Sequence, residues 1–275
     1  MPSQRNDLKE RNANGSKNTR MDFSGKEDMD YRKDELMHIG RYWNAVKTMV
    51  DTASSIHRPV RVLDIGCGEM NPIKMFSSSV VVKKSDVISE YIGVDIDDIM
   101  ARRQEEKHGQ RLRTCNAKYH IQDLTVNPHL PFESGYFDCI FCFEFMEHIN
   151  PKFLPAILSE ANRLLSPDGK ALFSTPNSNG SNEQLPLDHF YEYSYEECLS
   201  LFWQAGFNID SSMGTCVNIT KVPKEDRDLL DGALQRIYIA FGRNTPFSAV
   251  ASAPLFNPIY CKNVIYHLSK KKEKR

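Results

Sequence analysis

Short apolar runs alternating with segments of helical periodicity occupy the middle of this chain and restrict what it can fold into. The runs are VRVLDI (60–65), YIGVDI (91–96), AKYHIQ (117–122), FDCIFCF (137–143) and KALFST (170–175). Between the last two, NPKFLPAILSEANRLL has an amphipathic helical pattern ended by the turn SPDG. Strands that alternate with helices connect by right-handed crossovers, so the pattern predicts a parallel sheet with helices on both faces.

The flanks are read the same way. Residues 1–30 mix charges with Asn, Ser and Gly and predict a disordered N-terminal arm. KDELMHIGRYWNAVKTMVDTA then carries Leu36, Ile39, Trp43, Val46, Met49 and Val50 at helical spacing, which predicts a helix over 31–58 before the first strand. Past the fifth run, SYEECLSLFWQAGF opens with a capping box, Ser194 and Glu197, and stops at Gly206. NIDSSMGT and NVIYHLSK alternate as strands and suit an antiparallel edge pair. KEDRDLLDGALQRIYIAFG between them predicts an extra helix, and the proline-rich 246–258 an irregular stretch. The domain so outlined spans 59–268, with a helical insertion at about 222–258 and a basic tail at 269–275.

Composition removes some functions. The 35 Lys and Arg nearly balance the 36 Asp and Glu, so no global field favours a nucleic acid or an anionic membrane. No stretch approaches the roughly 18 apolar residues of a membrane helix, and the polar N-terminus lacks a signal peptide's apolar core. The expectation is a cytoplasmic protein without membrane insertion. Its seven scattered cysteines suit reduced thiols, and Cys139 and Cys142 fall on opposite faces of one strand rather than on a shared metal.

VLDIGCGEM, Val62 to Met70, ends the first strand in an aspartate and two glycines. Glycine there allows left-handed backbone and removes a Cβ that would block a ligand. In a doubly wound sheet the ligand crevice lies at the carboxyl ends of the central strands. A dinucleotide fingerprint needs a third glycine where this chain has Asn71, followed by Pro72, and no Gly-Lys-Ser/Thr follows for a phosphate loop. The loop therefore suits a cofactor without phosphates. Asp95 ends the second strand, where a carboxylate can accept from both ribose hydroxyls, and Asp123 ends the third, where it could accept from an adenine amino group.

In this order VLDIGCGEM, YIGVDID, QDLT, FDCIFCFEFMEHI and RLLSPDGKALFSTPN resemble the class I S-adenosylmethionine-dependent methyltransferases over roughly residues 60 to 210. The resemblance implies a Rossmann-like α/β fold, a doubly wound, mostly parallel seven-stranded sheet with an antiparallel edge strand. It implies S-adenosylmethionine as cofactor, with Gly66 and Gly68 at its methionine portion and Asp64 supporting the loop and the amino group. Asp95 would meet the ribose, Asp123 and Leu124 the adenine, and Ile96 and Phe143 would also line the cofactor site. The stretch between Asp64 and Asp95 is long for the family and predicts an insertion within 72–90.

After the fourth strand, a helix would put Glu144, Glu147 and His148 on one face, and His189 follows the fifth strand. Two carboxylates and imidazoles suit a divalent transition metal; equally, His148 or His189 could be a general base, with Glu144 beside them, or simply shape the pocket. Glu-x-x-Glu-His with a later His is similar to two metal-dependent branches of the family, the ubiquinone-biosynthesis O-methyltransferases and the small-RNA 2′-O-methyltransferases. The aromatics Phe190, Tyr191, Tyr193 and Tyr195, with Tyr42 and Trp43 of the first helix, are candidates for an acceptor lid or for core packing. A small-molecule acceptor methylated on oxygen or nitrogen fits the charge balance best. An RNA or DNA acceptor and a non-catalytic cofactor-binding subunit are the alternatives.

Overall fold

The computed structural model describes residues 29–78, 83–178, 185–243 and 245–272, with side chains from His38 onward except that of residue 246. The expected arm lies outside the described residues but for its last two positions, which begin the first helix. Residues 79–82 of the expected early insertion and 273–275 of the tail also lie outside them.

A seven-stranded sheet in the order β3-β2-β1-β4-β5-β7-β6 forms the middle layer. The strands are β1 (Val60–Ile65), β2 (Ile88–Asp95), β3 (Ala117–Ile121), β4 (Phe137–Phe143), β5 (Leu165–Pro176), β6 (Phe207–Gly214) and β7 (Asn263–Lys270). The first five pair in parallel, and β7 runs antiparallel between β5 and β6. The antiparallel strand is thus one place in from the edge, and β6 takes the edge itself. Strand order reverses between β1 and β4, so the two strands diverge in connection while adjacent in the sheet, and their carboxyl ends open a crevice.

Burial explains why β1 and β4 read as nearly continuous apolar runs. Residues of β4 alternate between two cores, with Cys139 and Phe141 on one face and Ile140 and Cys142 on the other. All seven cysteines are free and buried, as their scatter suggests.

Helices cover both faces. On one side α1 (Met29–Ile56) packs beside α2 (Asn71–Ser77) and α3 (Asp98–Arg113). On the other lie α4 (Leu154–Leu164) and α5 (Tyr195–Gln204), the latter begun by the Ser194–Glu197 capping box. The buried stripe of α1 is Arg41, Ala45, Met49 and Ala53, whereas Ile39 and Trp43 are 50% and 60% exposed. Spacing predicts this helix and the inward Met49, with Val46 and Val50 packed against the core, but not the outward Ile39 and Trp43 or the buried Arg41.

Two further expectations change. The SPDG turn does not separate helix from strand; β5 starts at Leu165, and these residues bulge between the Phe137–Leu165 and Cys139–Lys170 pairings. The extra helix is two, α6 (Lys224–Leu229) and α7 (Asp231–Phe241). The proline-rich stretch contains α8 (Pro246–Ser252), because Pro246 stands at a helix start, where no N–H is needed, and Thr245 with Ser248 caps it.

Asp138 ties the entry of β1 to β4. Its carboxylate, 1% exposed, accepts from Arg58 Nη1 and Nη2 at 2.8 and 2.7 Å and from the Arg61 N–H at 2.9 Å. Asp138→Ala should lower unfolding free energy by about 3 kcal/mol in urea titration, since it strips a buried, charge-assisted cluster.

Candidate functional site

Three neighbouring strand ends supply the acids of the crevice. Asp64 lies on β1, Asp95 closes β2 and Asp123 follows β3. The loop after β1 needs unusual backbone: Gly66, Gly68 and Met70 have φ of 65°, 45° and 53°. A Cβ on Gly66 would fall 2.4 Å from the Phe145 ring, so that glycine serves close packing. A Cβ on Gly68 would meet nothing within 4 Å, so that glycine leaves open space at the crevice. Gly93 is a glycine for a third reason, because a Cβ there would collide with Met70 and Cys67 of the same loop.

The loop is anchored on Asp95. Its Oδ2 accepts from the Gly68 N–H at 2.8 Å and its Oδ1 from the Asp97 N–H at 3.0 Å. Tyr119 donates its hydroxyl to the Gly68 carbonyl at 3.1 Å, so β2 and β3 together hold the loop. Each carboxylate oxygen can accept again, which leaves Asp95 able to take ligand hydroxyls. Asp123 closes its own turn by accepting from Thr125 N and Oγ1 at 2.8 and 2.6 Å. Leu124 is buried in the core beneath it, Ile96 is exposed at the rim, and Phe143 stacks on Phe141 with centroids 5.8 Å apart.

Asp64 is fully enclosed, and Tyr91 donates to its Oδ2 at 2.5 Å. Burial first, opposed by that hydrogen bond and reinforced by the Asp95 charge, raises its carboxyl to about 7. Tyr91 escapes the sequence reading because a buried tyrosine in a strand looks like core until its hydroxyl is located.

A second group assembles after β4, where a single 3₁₀ turn, Met146–His148, replaces the expected helix. Glu144 takes a left-handed φ of 48° and does not join Glu147 and His148 in the converging group. Its carboxylate accepts from Ser174 Oγ at 2.9 Å and Asn263 Nδ2 at 2.8 Å, and pairs with Arg41 Nη2 at 3.2 Å. Glu147, His148 and His189 do converge, each presenting one ligand atom within 4.8 Å of the others. Glu147 is buried, accepts from Thr175 Oγ1 at 3.0 Å, and has its carboxyl raised well above the ordinary range by that burial and by Glu144.

The imidazoles are oriented by their Nδ1 atoms. His148 Nδ1 lies 2.9 Å from the Asp188 carbonyl, which can only accept, so Nδ1 carries the proton and Nε2 the lone pair. His189 Nδ1 lies 2.8 Å from Glu192 Oε1 in the same sense. The rings meet edge to face at 4.9 Å. Burial foremost, with His189 adding to it, lowers the His148 pKa, which keeps it neutral near pH 7.

The aromatic candidates divide. Tyr191, Tyr193 and Tyr195 pack against the core, Tyr195 stacking on Tyr266 at 5.8 Å. Tyr42 sits over the crevice, accepting from Asn71 Nδ2 at 3.2 Å and edging Phe143 at 6.4 Å, while Trp43 points outward. Arg41, Ser174 and Asn263 were not among the sequence candidates, since none belongs to a motif and each matters only through Glu144.

The family described as "Methyltransferase domain" matches residues 34–212, well over half the chain. No curated protein matches it. Among solved structures, a putative sarcosine dimethylglycine methyltransferase from Galdieria sulphuraria aligns with TM-score 0.53 at 15% identity, covering 88% of this chain and 90% of that one. The cyclase SpnF aligns with TM-score 0.52 at 16% identity, covering 78% and 76%. A complex of the Haloferax volcanii Trm112 methyltransferase activator and the putative methyltransferase gives TM-score 0.50 at 15% identity, covering 89% and 95%. At these identities the likeness is one of fold.

The Asp64 environment makes a pH prediction. A carboxyl raised to about 7 when folded keeps its proton where the unfolded chain has lost it, so its contribution falls as pH rises from roughly 4 to 7. Across that window the wild type should lose up to about 4 kcal/mol relative to Asp64→Asn. Urea unfolding of both proteins at several pH values reads this out, and a pH-independent difference would sink it.

Proposed function

This chain belongs to the methyltransferase-domain family, and from that premise we propose that it moves a methyl group from S-adenosylmethionine to an oxygen or nitrogen of a small-molecule acceptor. What supports the reading is one arrangement: a glycine loop open at Gly68, anchored on Asp95 and flanked by the strand ends carrying Asp64 and Asp123. Asp95 would hold the ribose hydroxyls, Asp123 and Leu124 the adenine edge, and the Gly66–Gly68 backbone with Asp64 the methionine portion. Ile96 and Phe143 would complete the apolar walls.

S-adenosylmethionine, when bound, supplies an electrophilic sulfonium methyl, so the chain needs to align an acceptor and take up its proton. His148 is suited to the second task. It is neutral, its tautomer is held by the Asp188 carbonyl, and its Nε2 lone pair stands on the side of Glu147. The neighbouring rings of His189 and Tyr42 help exclude water from the crevice.

The convergence of Glu147, His148 and His189 favours a second reading, a divalent metal at this position. Histidines whose Nδ1–H is held by a carbonyl and a carboxylate have the orientation that metal-binding imidazoles need. A metal there would act as a Lewis acid on an acceptor hydroxyl. Glu144 is not one of the three converging residues, and its oxygens serve Arg41, Ser174 and Asn263.

Asp95→Ala should weaken cofactor binding at least tenfold by calorimetry, and unchanged affinity would remove Asp95 from the site. A transfer assay with labelled cofactor over metabolite, RNA and DNA pools should label a metabolite; labelling confined to nucleic acid would overturn the small-molecule reading. His148→Gln should cut transfer by about 100-fold with cofactor affinity intact. Metal content of untagged protein and chelator sensitivity then separate the two roles: bound metal and loss in chelator support the metal site, and their joint absence leaves His148 as the base.

A further inference from the structure

The amino-acid end of S-adenosylmethionine carries two opposite charges, an ammonium and a carboxylate. Asp64 and Asp95, at the ends of β1 and β2, attract the ammonium when ionised and repel the carboxylate. The carboxylate therefore needs a hydrogen-bond donor from another element, and α1 brings one over the glycine loop.

That donor is the hydroxyl of Tyr42. Its oxygen accepts from Asn71 Nδ2 at 3.2 Å, where the loop runs into α2, and its ring edges Phe143 at 6.4 Å. Its proton is not used within the chain. Among the described residues the O–H finds only His38 Nδ1, 3.5 Å away, and that atom already accepts from Arg41 Nη1 at 2.8 Å. A guanidinium can only donate, and a neutral imidazole nitrogen has one lone pair, so that acceptor is spent. Burial foremost raises the Tyr42 pKa, with Asp64 and Glu144 adding to it against the Asn71 hydrogen bond and the Arg41 charge. The hydroxyl thus keeps its proton, and the bond it receives from Asn71 polarises it as a donor.

The position of Tyr42 is fixed before any ligand arrives. Its neighbour Arg41 pairs with Glu144 at 3.2 Å, and Ala45 and Met49 are buried one and two turns further along α1. A donor held in place loses little freedom when it is used, which favours binding. Space is left as well, since a Cβ on Gly68 would meet nothing within 4 Å. We propose that Tyr42 donates its hydroxyl to the carboxylate of S-adenosylmethionine and so makes the site specific for a cofactor with an intact amino-acid end. This rests on the methyltransferase reading above. The first helix is then part of the cofactor site and not only its cover.

Calorimetry on the full chain with three probes tests it. They are S-adenosylhomocysteine, its decarboxylated counterpart, which keeps the amine, and methylthioadenosine, which lacks both charges. The wild type should bind S-adenosylhomocysteine about tenfold more tightly than the decarboxylated probe. Tyr42→Phe keeps the ring against Phe143, so α1 should stay docked. The variant should bind S-adenosylhomocysteine about tenfold more weakly and the other two probes as the wild type does. Unchanged S-adenosylhomocysteine affinity in the variant would overturn the proposal, and so would an equal loss for the decarboxylated probe, which marks a structural role. Equal affinity of the wild type for those two probes would overturn it without any variant. Binding of neither S-adenosylhomocysteine nor methylthioadenosine by the wild type would instead overturn the methyltransferase reading, and the proposal with it.

Discussion

The pairing of Arg41 with Glu144 sets how the parts of this molecule meet. Arg41 is 1% exposed, and a guanidinium buried without a counter-charge would be expensive. The first helix must therefore dock with that face inward, against the end of β4. Glu144 in turn accepts from Ser174 of β5 and Asn263 of β7, so one carboxylate gathers a helix and three strands. Reaching all of them requires a left-handed backbone at a non-glycine residue, and such conformations persist only where the surroundings over-determine them.

That constraint organises the chemistry on either side. With Glu144 engaged by Arg41, Ser174 and Asn263, Glu147, His148 and His189 form a compact group without it. The proximity of Glu144 adds to burial in pushing the Glu147 carboxyl above the ordinary range. On the other side Tyr42, one residue after Arg41, is carried over the crevice next to Asn71 and Phe143. The same docking of α1 thus shapes the histidine group and places Tyr42 over the glycine loop.

Much of the architecture was legible because it rests on local periodicity. VRVLDI and FDCIFCF are the observed strands to the residue, and the capping box at Ser194 starts its helix where expected. Legibility failed where a partner distant in sequence decided the outcome. Ile39 and Trp43 face outward although their spacing pointed inward, and Glu144 leaves its motif for Asn263, 119 residues away. The proline-rich stretch hid α8 because a proline at a helix start is indistinguishable in sequence from one that breaks it.

By itself the sequence determined the parallel sheet, the glycine loop after β1 and the acids at the ends of β1 to β3, because strand periodicity and turn chemistry act between neighbours. The tertiary structure alone decided which face of α1 is buried and that Glu144 stands apart from the histidine group. Those outcomes depend on satisfying buried charges and hydrogen bonds between residues that meet only when the sheet is assembled.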